Sequence, residues 1–238
     1  MKKLFWLCGG YPLTEQCAAI ADAYMAGGCD GVEWAIPPKN PYREQQHLLP
    51  YFEAARKNAP DAMQHLHMMA QFREKYPQAE VFPAVYQETV LEVGVEALCK
   101  VCLQCGIDTL FLIGTYETEI LRELTKKMKI ATSVSYYMTR EELDKAHADT
   151  GFIYMQALPY QAELDAGYTS ARLGECIELM RSSGIDRPIY CAKGIKTPEQ
   201  AAFVGTCGAD GFILGSAMLS YYEDLSALTE AVRAFPKE

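Results

Sequence analysis

Short apolar runs alternate with amphipathic stretches from one end of the chain to the other. Eight runs of four to six residues read as strands: Lys3–Leu7, Gly31–Ala35, Glu80–Val85, Thr109–Ile113, Ile130–Ser135, Phe152–Gln156, Pro188–Cys191 and Gly211–Leu214. Between them, apolar positions recur at helical spacing in Glu15–Ala26, Ala62–Lys75, Glu92–Cys105 and Thr118–Lys127, and again in Arg140–His147, Ala171–Ser182 and Pro198–Thr206. Strands that alternate with helices imply parallel βαβ units, and eight of them imply a closed barrel. The phrases Gly28-Cys29-Asp30-Gly31, Gly106-Ile107-Asp108 and Gly208-Ala209-Asp210 recur where a helix stops and the next strand starts, marking the turns at the barrel's stability face. No linker, low-complexity tract or charge block interrupts the pattern. The expectation is an α/β chain forming one (β/α)8 TIM-barrel domain over residues 1–238.

The last quarter carries the strongest local signal. Tyr190-Cys-Ala-Lys-Gly-Ile-Lys-Thr-Pro-Glu-Gln-Ala201 and Gly208-Ala-Asp-Gly-Phe-Ile-Leu-Gly-Ser-Ala217 each read as a strand that ends in glycine and opens a helix. Thr197 followed by Pro198 is an N-cap with proline at the first helical position. Unpaired N–H groups and the positive end of the helix dipole favour a phosphate at such a place. In a barrel of this type the loops after strands 7 and 8 commonly form that site. Gly194, Gly215 and Ser216 are the candidate phosphate contacts.

Composition narrows the partners. With 238 residues, half of them hydrophobic, the chain can bury one large core. A net charge of −9 disfavours a nucleic-acid partner. Leu4 to Cys8 is too short for a signal or membrane segment, so a cytoplasmic location is expected. Nine scattered cysteines read as reduced, mostly buried thiols. Cys99, Cys102 and Cys105 have the spacing that can begin an iron–sulfur site, but they fall on a helical face and read as core. His47, His65, His67 and His147 show no ligand-like spacing with strand carboxylates, so no metal is expected. Glu33 lies inside an apolar strand, where a carboxyl is costly to bury unless paired or used. Burial raises a carboxyl pKa and suits it to acid–base work, while an outward-facing, helix-paired glutamate is the other reading.

Five motifs in order, Gly28-Cys-Asp-Gly-Val-Glu33-Trp-Ala-Ile-Pro37, Ala84-Val-Tyr86 before Gly94-Val-Glu96, Gly167-Tyr-Thr-Ser-Ala171 and the two phosphate segments, resemble the α subunit of tryptophan synthase from about residue 4 to about residue 220. The resemblance implies a lyase that cleaves indole-3-glycerol phosphate, or a related phosphorylated substrate, to indole and glyceraldehyde 3-phosphate by a retro-aldol step without metal or organic cofactor. It puts the catalytic glutamate at Glu33 and a second carboxylate eleven positions later at Glu44, where the family has aspartate. Glu44 also reads as a helix N-terminal carboxylate. Tyr154 matches a strand-6 tyrosine beside the site, Thr169 a mobile-loop threonine, and Ser170 replaces a phosphate-loop glycine. Tyr86 joins the substrate contacts.

Departures accompany the likeness. Lys193 stands where the family stacks an aromatic near indole, and reads as a substrate contact that neutralises the phosphate or as a side chain pointing out to solvent; Gly114 stands where the family has an aspartate. Pro38-Lys39-Asn40-Pro41 replaces a Pro-Asp-Pro loop, Gln87-Glu88-Thr89-Val90 replaces an Asn-Pro segment that contributes to binding the β subunit, and the stretch from Tyr154 to Gly167 is longer. A β subunit is therefore a possible partner whose contact residues have diverged. Two further readings stay open: a non-catalytic paralogue that keeps the phosphate pocket, and another phosphate-binding barrel enzyme, of prenyl-transfer or sugar-phosphate isomerase type or a Schiff-base aldolase using Lys193.

Overall fold

The computed structural model describes residues 1–41 and 46–237. Eight parallel strands, β1 (Lys2–Cys8), β2 (Gly31–Ala35), β3 (Glu80–Tyr86), β4 (Thr109–Ile113), β5 (Lys129–Val134), β6 (Ile153–Gln156), β7 (Ile189–Ala192) and β8 (Gly211–Leu214), close in sequence order into a barrel. Closure is completed by β8 pairing with β1, with Leu4 opposite Ile213. The helices that wrap it are α1 (Thr14–Ala26), α2 (Leu49–Asn58), α3 (Ala62–Lys75), α4 (Gln87–Val93), α5 (Val95–Gln104) and α6 (Thr118–Thr125). They continue as α7 (Arg140–Ala148), α8 (Gln161–Asp165), α9 (Arg172–Ser182), α10 (Pro198–Thr206) and α11 (Leu225–Arg233), with 3-10 turns at Gln46–Leu48 and Ser216–Tyr221. The barrel agrees with the sequence expectation, and strand bounds differ by a residue or two. The single helix expected over Glu92–Cys105 is instead two, because Gly94 adopts φ +87° and ends α4 before α5 begins.

The two-residue period of a strand divides the apolar side chains into two sets. Leu4, Phe82, Phe111, Phe152, Tyr190 and Ile213 meet inside the barrel. Their neighbours Phe5, Val32, Trp34, Leu110, Ile153 and Phe212 face the helices in a larger cluster. Inside, the rings of Phe82 and Phe152 lie 4.5 Å apart and those of Phe152 and Tyr190 5.1 Å apart, filling the lower barrel. Cys99 and Cys102 of α5 belong to the helix-facing core, as the helical-face reading expects, and burial pushes the Cys102 thiol up to about 12.

The recurrent glycine–aspartate turns hold the amino-terminal end. Gly28, Gly106 and Gly208 have φ of +84°, +71° and +91°, a region where a side chain would be strained. Each aspartate that follows ties down a strand. Asp30 accepts the Lys3 N–H at 2.8 Å, Asp210 the Ile189 N–H at 2.7 Å, and Asp108 pairs with Lys129 at 2.7 Å. The buried Lys3 ammonium donates to the carbonyls of Gly27, Val232 and Phe235, closing the ends of α1 and α11 over the first strand. Burial, and then the charge of Lys237, lowers its pKa.

At the opposite end, Glu92 joins three elements. It accepts from Arg56 of α2 and from the N–H of Ala62 at the start of α3, and pairs with Lys39 at 3.2 Å. Burial alone would raise its carboxyl, but hydrogen bonds from Arg56, Ala62 and Lys39 outweigh it and hold the group at about 2. A folded value below the ordinary 4.5 contributes stability that is complete above 4.5 and lost as pH falls toward 2. Denaturation midpoints should therefore drop across that window. Glu92→Gln should cost on the order of 2 kcal/mol at neutral pH and flatten the drop. An unchanged acid profile in the variant would contradict this.

Candidate active site

The carboxyl ends of the strands surround a cavity of about 740 Å³, within the range of small-molecule sites. Its wall includes Trp6 of β1, Glu33 of β2, Phe111 of β4, Tyr154 of β6 and Ile213 of β8, with Lys193, Gly194, Gly215 and Ser216 at the rim. A hollow of about 280 Å³ at the other end, between Lys2, Glu80 and Thr109, is smaller and lies on the face of the glycine–aspartate turns.

Glu33 is carried inward by strand alternation, in register with Trp6 on one side and Phe82 on the other. It is 3% exposed. Tyr154 reaches it across the barrel, its hydroxyl donating to Glu33 Oε2 at 3.3 Å in a buried setting. That length exceeds an ordinary O–H···O bond. Phe111 stacks on the Tyr154 ring at 4.1 Å and 6°, fixing its plane. The Lys193 ammonium stands 5.6 Å from the centre of the same ring.

The rim opposite is made of backbone. Gly194 has φ +92°, and a Cβ there would meet Leu158 Cβ at 2.9 Å, so both conformation and space require glycine. The N–H groups of Gly194, Gly215 and Ser216 have no hydrogen-bond acceptor among the described residues. A side chain built on Gly215 would enter open space. Ser216 opens the 3-10 turn, and its Oγ lies 3.3 Å from His47 Nε2.

The structure departs from the expectation of two open helix ends. At α10, Thr197 accepts the Gln200 N–H at 3.3 Å, and Gln200 Oε1 takes the N–H groups of Lys196 at 2.7 Å and Thr197 at 3.2 Å. This capping box satisfies the donors that a phosphate would use. The turn glycines and Ser216 are what remain open. Other expected contacts lie apart as well. Thr169 and Ser170 are exposed, bond through their carbonyls to the start of α9, and are outside the cavity wall. Leu158, Pro159 and Tyr160, after β6, occupy the wall, and α8 follows them directly. Tyr86 shares the inward parity of Phe82 and Ala84 but is fully buried outside the wall. Gly114, already a departure from the family's aspartate in the sequence, follows β4 with φ +87° and adds no side chain. Glu44 lies outside the described residues. Trp6, Phe111, Ile213 and His47 are wall residues that the sequence did not single out: the first three read as ordinary strand core, and a lone histidine gives no periodic signal.

Among the described residues, no three His, Cys, Asp or Glu side chains converge as a metal site requires, and no helix is long and apolar enough to cross a membrane.

A family model described as the tryptophan synthase alpha chain matches residues 4–235. The chain belongs to that family. The alpha chain of Photobacterium profundum is 25% identical over 222 residues, covering 90% of this chain and 81% of its own length. That of Corynebacterium diphtheriae is 24% identical over 250 residues, covering 96% and 89%. Among solved structures, the alpha subunit from Legionella pneumophila superposes with a TM-score of 0.81 at 22% identity, covering 98% of this chain and 90% of that one. A tryptophan synthase complex from Pyrococcus furiosus gives 0.78 at 18% identity, with coverage of 98% and 96%. The barrel is thus the fold of this alpha chain family, carried by a sequence that has moved far from its relatives.

Gly194→Ala tests the rim. Left-handed backbone and the approach to Leu158 should cost on the order of 1–3 kcal/mol, and Tm should fall by roughly 2–4 °C per kcal/mol. A ligand held by the folded rim alone raises Tm by mass action, so added phosphate is expected to raise the Tm of the wild type and not that of the variant. A full phosphate shift in Gly194→Ala would remove Gly194 from the site.

Proposed function

We propose that the cavity performs the retro-aldol cleavage of the alpha-chain family, on indole-3-glycerol phosphate or a close phosphorylated relative, with Glu33 as the proton donor and acceptor. One observation carries the reading: the only carboxyl among the described wall residues stands at the inner end of a cavity whose rim offers unpaired backbone donors.

In this reading the phosphate accepts from the N–H groups of Gly194, Gly215 and Ser216 and from the Ser216 hydroxyl. The ring extends inward against Trp6, Phe111 and Tyr154. Glu33 delivers its proton to ring carbon C3, the carbon–carbon bond to the glycerol breaks, and its electron pair returns to the ring. The hydroxyl on the departing carbon loses its proton to the carboxylate just formed, leaving glyceraldehyde 3-phosphate and restoring Glu33. Atoms and charge balance without a cofactor. Tyr154 orients the carboxyl and releases it as the proton moves. Glu44 would accept the ring N–H. Nine free thiols, seven of them buried, favour a reducing cytoplasmic setting.

Glu33→Gln keeps the shape and removes the transferable proton. Turnover should fall by at least about 10³-fold, while melting and phosphate binding remain. Indole release at a rate near the wild type would exclude Glu33 as the acid.

A β subunit is a second element of the proposal, with weak pairing expected. Among the described residues after β2 and β3, the charged side chains of Lys39, Glu88 and Glu92 already have partners. Glu88 takes the Asn40 N–H at 2.7 Å and its side-chain amide at 3.1 Å, and Lys39 pairs with Glu92. Docking there would desolvate these pairs, which interface cores generally avoid. Calorimetric titration with a tryptophan synthase β subunit should show affinity weaker than roughly micromolar. Nanomolar binding with strong activation would contradict this.

A further inference from the structure

His47 and Ser216 reach the cavity from two separate 3-10 turns, the first just before α2 and the second just after β8. Packing brings these turns together. Leu48, beside His47, and Leu219, three residues past Ser216, both lie against the cluster of Trp6, Cys8, Ala35, Phe52 and Ala55. His47 itself is exposed, and its Nε2 stands 3.3 Å from Ser216 Oγ. A serine hydroxyl has one proton to give, so this contact has two forms. If Nε2 is bare, Ser216 donates to it, and oxygen lone pairs are what remain for a ligand. If Nε2 carries a proton, it donates to Oγ, and the Ser216 proton is released toward the ligand.

An anion is repelled by the first form and bound by the second, in which the hydroxyl joins the open N–H groups of Gly194, Gly215 and Ser216. An imidazolium carries a proton on both nitrogens, so charging the ring leaves only the second form. Histidine ordinarily makes that change between about pH 5 and 8. Resting on the phosphate reading of the rim, we propose that His47 is a positioning residue that turns the Ser216 hydroxyl toward the phosphate and makes the grip on the phosphorylated arm proton-dependent. The arm is held more tightly when the ring is charged, and by linkage its binding draws a proton onto His47. The other charged or titratable groups of the surrounding wall are Glu33, Tyr154, Tyr160, Lys193 and Lys196. Tyr51 follows on α2, and Tyr221 closes the Ser216 turn. Arg43 and Glu44 lie outside the described residues.

Calorimetric titration of glycerol 3-phosphate tests this without turnover. The proteins are the wild type, His47→Gln and His47→Phe, each at about pH 5.5 and about pH 8.5, on either side of the imidazole range. Glutamine keeps an amide donor that does not titrate, and phenylalanine keeps bulk without a donor. Residue 47 is exposed, so both replacements spare the core. Titration of the ligand and of Glu33 is common to all three proteins and cancels in the comparison. Relative to His47→Phe, the wild type should bind about tenfold more tightly at the lower pH, as a charge-assisted hydrogen bond allows, and should lose most of that margin at the higher. His47→Gln should restore part of the margin and hold it at both values. Ser216→Ala should remove most of the difference between wild type and His47→Phe. Equal affinity in the three proteins, or a wild-type margin that does not change with pH, overturns the proposal while leaving the phosphate reading in place. A His47 effect undiminished in Ser216→Ala also overturns it, since the histidine would then hold the phosphate directly. Failure of glycerol 3-phosphate to bind the wild type at either pH overturns the phosphate reading and this proposal with it.

Discussion

A carboxyl group inside a barrel otherwise filled by Leu4, Phe82, Phe111, Phe152 and Ile213 is the constraint around which the molecule is arranged. Such a group is tolerated only where a partner and a use exist for it. Glu33 and Tyr154 are 121 positions apart in sequence and meet only because the sheet closes on itself. The aromatic layer below them gives the closed barrel a packed interior, and the stack of Phe111 on Tyr154 holds the donor hydroxyl in place. Shifting β2 by one residue would exchange Glu33 for Trp34 and turn the carboxyl outward among the helices. Barrel closure, core packing and the site are one problem with one solution.

The two ends of the barrel divide the work. At the amino-terminal end, aspartates after the turn glycines hold strand N–H groups, and Lys3 closes helix ends with three hydrogen bonds. At the carboxyl end, Gly194, Gly215 and Ser216 leave donors open, and Lys193 is held in a conformation that a lysine otherwise avoids. Open backbone donors among the described residues and a positive-φ lysine lie together at this end, while the aspartate-tied turns lie at the other.

Sequence periodicity revealed the barrel because parallel strands buried on both faces read as uninterrupted apolar runs, and because the glycine–aspartate turns repeat. It was blind to α2, where Leu49-Pro50 opens a helix that resembles a loop, and to the break at Gly94. Glu33 was legible as a charged residue in an apolar strand, although only the register with Trp6 and Phe82 fixes it inward. The phosphate rim was half legible. Glycines mark close approach, but whether Thr197 and Gln200 leave the α10 donors open depends on side-chain geometry that spacing does not encode. Thr169, Ser170 and Tyr86 match family motifs in order along the chain, yet the first two are exposed beyond α8 and Tyr86 is fully buried, all three outside the cavity wall. His47 reaches Ser216 through a loop contact spanning 169 positions, which no local pattern announces.

The most direct measurement is a crystal structure of the Glu33→Gln protein holding uncleaved indole-3-glycerol phosphate. The phosphate is expected on the N–H groups of Gly194, Gly215 and Ser216, with ring carbon C3 within about 3.5 Å of the residue-33 side chain, as proton transfer requires. A phosphate seated instead at the start of α10, or a ring whose C3 faces away from position 33, would contradict the assignment of this cavity as the place where the carbon–carbon bond is broken.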